Sequence, residues 1–225
     1  MKKFPSGYSY TQTRIEREAY RYGQIYLILT FDAPLFVKCI DIVYASPDLK
    51  DHTYTRLGGL HTIFSFMGAD GYIMDGSGME QLWGTVYASG SLPSMLSGMA
   101  YERALRAQIL TAQSEVTRIW ESSPSLKHFD RTKIQRIWSD LLNENISLDD
   151  AAASPDFKLL SRTLEEEIEK TRSKGRTAAL WIEKLERTGT LLQFIRAERT
   201  GEWEMHKETL LIMLVTFHAA GHLNR

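Results

Sequence analysis

Cysteine is nearly missing from this 225-residue chain: the single one, Cys39, sits inside an apolar run. One thiol cannot close an internal disulfide, so a disulfide-stapled scaffold is excluded and a reducing compartment is favoured. Cys39 itself reads as a small buried hydrophobe. Net charge is missing too, with 27 basic against 28 acidic side chains leaving −1 at pH 7. No global field therefore draws the chain to nucleic acid or to an anionic membrane. Long apolar runs are also lacking. IYLILTF and TLLIMLVTF fall far short of the ~20 residues needed to span a bilayer. The opening MKKFPSGYSYTQTR has no apolar segment of the secretory kind. These absences predict a soluble intracellular protein, nuclear or cytoplasmic, with no membrane partner.

One further absence is local. From Leu57 to Tyr101 there is no lysine or arginine, while glycine, methionine and aromatic residues are frequent. Such a stretch is expected to be mostly buried and to turn tightly more than once. Charge is correspondingly uneven, since residues 1–100 hold 17 of the 55 charged side chains and 101–225 hold 38. The first part reads as core and the second as amphipathic, solvated helix.

Periodicity fills in this outline. QIYLILTF (24–31) is a short run of β-formers closed by Asp32-Ala33-Pro34, the pattern of a buried central strand. Pro34 suits the first turn of a helix over 35–45, with Phe36, Ile40 and Val43 on one face. A second strand is expected from about Tyr54, followed by a helix, giving a βαβ pattern. Beyond Met79 the reading is helical. One long helix is expected from Ser94 to Trp120, one capped by Asp130 with Ile134, Ile137, Trp138, Leu141 and Leu142 as its stripe, and one opened by Ser154-Pro155. Two more cover 177–199, striped by Leu180, Leu185, Leu192 and Ile195, and 202–220, ended by Gly221. The fold class is mainly α with a small β component (α+β). Short central strands packed by helices form a core over 1–100, and a helical bundle follows over 101–225.

Candidate chemistry is sparse. Asp32, just past the end of a strand, stands where open α/β sheets place ligands, and it also suits the N-cap of the next helix. His61, at a strand-to-helix junction, could orient a neighbour or bind metal, or be a histidine buried against backbone. Gly68, Gly71, Gly76 and Gly78 lack the Lys-Ser/Thr of a phosphate loop and the spacing of a dinucleotide fingerprint, so they read as turns and helix packing. Asp70 and Asp75 lack calcium-loop spacing. His218 and His222 lie four apart without the glutamate of a zinc-protease helix. Arg103, Arg106, Arg118, Lys127, Arg131, Lys133 and Arg136 could touch phosphates, but interleaved acids make a solvated helix face the plainer reading. Glu198 is the notable carboxylate of the second half, with an i,i+3 pair to a neighbouring arginine as its ordinary role.

The words LTFDAPLFVK, RLGGLHTIFSFMGADGYIMDGSGMEQLWGTVYASG, MLSGMAYERALRAQIL and TAALWIEKLERTGTLLQFIRAERTGEWEMHKETLLIML resemble a group of invertebrate proteins associated with mobile elements, often found as broken reading frames. A second resemblance is to transposases with an RNase H-like fold. There an aspartate ends one strand, a histidine motif follows the next, and a helical insertion precedes a glutamate on a late helix. By that resemblance residues 1–100 are part of an RNase H-like domain, Asp32 and Glu198 are ligands for Mg²⁺ or Mn²⁺, His61 supports them, and DNA is the partner. The upstream cysteine of several such families is replaced by Gly58-Gly59, and an earlier strand with its own aspartate is missing. The implied protein is a truncated, inactive fragment of a transposase-like domain. The rival expectation is a non-catalytic helical module that binds a protein partner through the amphipathic helices of 130–220.

Overall fold

The computed structural model describes residue 18 and residues 21–221. The chain is mainly helical with a small two-stranded parallel sheet, as the α+β reading expects. It divides into two compact units, 1–65 and 66–225.

In the first unit, β1 (Leu27–Phe31) is followed by α1 (Ala33–Ala45), a short α2 (Pro47–Lys50) and β2 (Thr53–Leu57). The strands pair in parallel from Leu27 opposite Thr53 to Phe31 opposite Leu57. A parallel pair needs a crossover, and α1 with α2 supplies it. Leu29, Cys39 and Val43 form a small core with Leu27, Phe31 and Leu49 around it. Burial pushes the Cys39 thiol pKa above its ordinary value, as suits an inert core thiol.

The expectation of an interior strand is corrected here. Along β1 only Leu29 is buried, and Ile28 and Thr30 point to solvent. An interior strand needs cover on both faces. This one has a single neighbouring strand among the described residues and α1 packed on it, so burial alternates instead.

The helix α3 (Gly59–Ile73) carries the chain from the first unit into the second. There α4 (Met79–Gly84), a 3₁₀ turn (Ser89–Ser91) and α5 (Leu92–Leu96) lead to α6 (Tyr101–Ser122), α7 (Pro124–Lys127), α8 (Arg131–Leu142), α9 (Leu148–Ala153), α10 (Pro155–Arg172), α11 (Arg176–Thr200) and α12 (Trp203–Ala219). Residues 66–100 thus group with the helices, whereas the charge distribution placed them with the strands. Backbone approach is the reason. A Cβ on Gly68 would stand 2.8 Å from the carbonyl oxygen of Ser97, and one on Gly71 would stand 2.1 Å from that of Leu96. These glycines let α3 lie against the end of α5.

The single helix expected from Ser94 to Trp120 is two helices. Gly98 adopts φ of 78°, a left-handed conformation that ends the first before Tyr101 begins the second. Around the long α11, the helices α6, α10 and α12 pack on several sides. Its buried face therefore runs through Ile182, Lys184, Thr188, Leu191, Phe194 and Ile195, while Leu192 of the expected stripe stays exposed. Phe66 meets Phe217 edge-on at 6.0 Å between ring centres. Ile119, Leu126 and Ile182 form a separate cluster flanked by Leu160 and Leu164.

Candidate functional site

Asp32 is the N-cap of α1, where its Oδ1 accepts the backbone N–H of Leu35 at 3.0 Å. The cap satisfies one of the donors that every helix start leaves free. His61 lies in the first turn of α3, exposed, with its ring edge-on to Phe64 at 6.2 Å. The expectation of a buried histidine is thereby corrected, because the first turn of α3 turns this position outward. Glu198 lies in the other unit, on α11, with Oε1 2.7 Å from Nδ1 of His206. That histidine, across the α11–α12 turn, is a partner the sequence reading did not name. His206 is nearly buried, stacked on Trp203 at 5.1 Å and tilted against Phe194 at 5.1 Å. These contacts tie the ends of α11 and α12 together.

A two-metal site requires several carboxylates converging on one point. Among the described residues no group of three or more histidine, cysteine, aspartate or glutamate side chains could hold a metal ion. Asp32 caps α1 in the first unit, and Glu198 contacts His206 in the second. His218 is exposed near the end of α12, and His222 lies outside the described residues. Three of the basic residues of the middle helices have local partners. Arg118 pairs with Glu115, Lys133 with Asp156, and Arg131 sits over the Trp120 ring.

The concentrated polar chemistry is elsewhere, in the helical core. Asp70 on α3, Gln108 on α6, and Lys184 and Thr188 on α11 are all buried, Lys184 to 1% exposure. Asp70 Oδ1 accepts from Nε of Arg187 at 2.6 Å, and its Oδ2 accepts from Nε2 of Gln108 at 3.0 Å. Lys184 Nζ lies 3.2 Å from the same Oδ2. It also donates to Oε1 of Gln108 and, at 2.8 Å, to Oγ1 of Thr188. Three acceptors thus face the three N–H bonds of one ammonium group. Because lysine only donates, the Gln108 amide must turn its oxygen to Lys184 and its nitrogen to Asp70. Close by, the Trp83 indole donates to Thr111 Oγ1 at 2.9 Å, so α4 is hydrogen-bonded to the same helix, α6.

Loss of water around Lys184 lowers its pKa below the ordinary lysine value, with Asp70 opposing that fall. Between the lowered folded value and the ordinary one, the unfolded chain holds a proton that the folded chain does not. Stability therefore rises with pH across that window. Urea midpoints measured at rising alkaline pH are expected to show this slope in the parent chain and to lose it in Lys184→Met. Equal slopes in both would refute the assignment.

Sequence reading passed over this network. Asp70 was weighed for calcium spacing, and Lys184, Arg187 and Gln108 carried no motif. One signal was present: Lys184 sits seven and eleven positions before Leu191 and Ile195, on the face that is otherwise apolar.

Residues 4–225 match the profile of a family described as a domain of unknown function (DUF8702). The chain belongs to that family. DUF8702 spans both compact units and so takes in the strand pair, the buried network and the α11–α12 pair. No curated protein and no solved structure gives a significant match to this DUF8702 chain.

Proposed function

We propose that the protein is a non-catalytic helical interaction module and that the corner formed by α8, α9 and α10 is its docking face for a protein partner. The observation behind this reading is that α8, for all its apolar stripe, buries none of its 12 residues. An amphipathic helix gains stability by covering its apolar face, and this one leaves that face half open. Trp138 is 54% exposed and Leu142 78%. Beside Trp138 a notch of about 140 Å³ is lined by Ile134, Ile137, Leu141, Leu148, Ala151 and Phe157 among others, all apolar. An exposed tryptophan next to a socket that accepts one large side chain is the usual composition of an interface centre. The helices are held firmly enough to present it. Asp130 and Ser154 cap α8 and α10, Ser147 and Asp150 form a capping box on α9, and Lys133 bridges α8 to Asp156 on α10 at 3.0 Å.

The test is site-specific photocrosslinking from position 138 in cells, with position 162 on the outer face of α10 as control. Crosslinks to a defined partner are expected from 138 and not from 162, and Ala152→Arg, which plugs the notch with charge, is expected to abolish them. Equal capture from both positions would refute the docking face.

The transposase-like reading rests on the parallel β1–β2 pair with Asp32 at its carboxyl edge. It requires a metal response. Millimolar Mn²⁺ should raise the thermal midpoint of the parent chain and leave Asp32→Asn unchanged, and an identical response in both chains removes it.

No helix among the described residues is long and apolar enough to cross a membrane.

A further inference from the structure

β1 has one neighbouring strand among the described residues, and its other edge is open. The ladder fixes which backbone groups lie along that edge. Leu27 N–H donates to the His52 carbonyl and the Phe31 carbonyl accepts from Gly58 N–H, both at 2.8 Å, so the odd positions turn toward β2. Backbone groups alternate in direction along a strand, and Ile28 and Thr30 therefore turn theirs outward. Neither residue's N–H or C=O has a hydrogen-bond partner among the described residues. A row of donors and acceptors at strand spacing fits one class of ligand, the backbone of another extended chain.

The sequence leaves this edge undefended. Natural edges carry lysine, proline or a bulge that blocks further pairing. From Gln24 to Phe31 there is no charge and no proline, and the β1–β2 register runs without a bulge. β2, by contrast, carries Arg56 and follows Lys50-Asp51. Side chains narrow the class of strand that fits. Toward α1, Leu29 is buried and Leu27 and Phe31 are half-buried. On the other face Ile28, 69% exposed, stands opposite Tyr54, whose ring lies 5.9 Å from that of Tyr26. The incoming strand must be uncharged and apolar on both faces. β1 of a second copy meets that description.

We propose that β1 pairs antiparallel with β1 of a second copy of this chain, about a two-fold axis at Leu29, and joins two small sheets into one of four strands. That axis uses the whole strand. Ile28 exchanges both hydrogen bonds with Thr30 of the second copy, and Thr30 does the same with its Ile28, so every outward N–H and C=O of the two residues is met. Leu29 then faces Leu29 and Leu27 faces Phe31 on the α1 side, while β-branched Ile28 faces Thr30 on the other. The interface is self-complementary, as a closed dimer requires. This edge lies in the first compact unit and the α8–α10 corner in the second, so the inference does not rest on that docking reading.

Sedimentation equilibrium of the full chain measures the association. A species of twice the 25.8 kDa chain mass is expected at micromolar concentration. Ile28→Lys puts a charge on an exposed position, leaves the single copy folded, and is expected to weaken the dimer at least about tenfold. Thr30→Pro removes an N–H that only a second strand uses and should act alike. Disulfide trapping checks the register in chains that also carry Cys39→Ala. Ile28→Cys mixed with Thr30→Cys should crosslink between copies under mild oxidation, because hydrogen-bonded antiparallel pairs stand ~5.5 Å apart at Cα. Tyr54→Cys should not, since three strand spacings put it about 14 Å from its equivalent. A monomer at every concentration, a dimer untouched in a folded Ile28→Lys chain, or crosslinking of Tyr54→Cys as strong as that of the mixture would each overturn the proposal. In the monomer case, amide exchange at Ile28 and Thr30 names the other occupant. Slow exchange assigns the edge to a segment of the same chain, and fast exchange leaves it to a strand of another protein.

Discussion

Asp70→Asn is expected to cost about 3–5 kcal/mol of unfolding free energy, a loss of the size measured when one partner of a buried ion pair is removed. The substitution keeps the shape of the side chain and deletes only its charge. Lys184, at 1% exposure, and Arg187 would then share a pocket with no carboxylate between them. The asparagine NH₂ would also point a donor at Arg187 Nε or at the Gln108 amide, where an acceptor is required. Urea denaturation of parent and variant at neutral pH measures the difference. Lys184→Met is expected to cost less, since it removes a buried charge and leaves Asp70 paired with Arg187. A loss below about 1 kcal/mol in Asp70→Asn would show that water enters the network and that its burial is overstated.

Gly71→Ala is expected to be strongly destabilising. The new Cβ would stand 2.1 Å from the Leu96 carbonyl oxygen, 2.9 Å from the attached carbon and 3.3 Å from Leu96 Cα. All three are backbone atoms, so no side chain can rotate away, and α3 or the end of α5 must move. Asp70, the neighbouring residue, would move with α3 and carry the buried network out of register. The expected loss is at or above the ~1–3 kcal/mol typical of overpacked cores. Gly189→Ala is the control. It lies in the middle of α11 with nothing within 4 Å of a built Cβ, and alanine there should add about 0.5–1 kcal/mol. Thermal melts of the two variants should shift in opposite directions. A stable Gly71→Ala would mean that α3 does not rest on the end of α5.

Both predictions depend on residues that local pattern could not rank. Gly71 reads from sequence as one of several glycines suited to turns, and Gly76 and Gly78 do take positive φ of 70° and 94°. Gly71 differs because another segment's backbone lies against it, and no local pattern encodes that neighbour. Asp32 and Glu198 show the same limit for the site. The order of an aspartate, a histidine and a glutamate along the chain suggests a metal centre. In the folded chain Asp32 takes a helix-capping role that needs three residues of context, and Glu198 takes the His206 contact across one turn.

What the sequence determined by itself was local. Capping residues at Asp32, Asp130 and Ser154, apolar spacing along α8, the stop at Gly221 and the βαβ order all follow from interactions within a few positions. Tertiary structure decided what those elements enclose. Asp70 meets Gln108 across 38 positions, Gln108 meets Lys184 across 76, and Arg187 reaches Asp70 across 117. Whether a lysine at a stripe position becomes a buried, three-fold bonded ammonium or a solvated surface charge depends on which acceptors other helices bring to it. Desolvation and pairing energies of that kind exist only once the helices have packed.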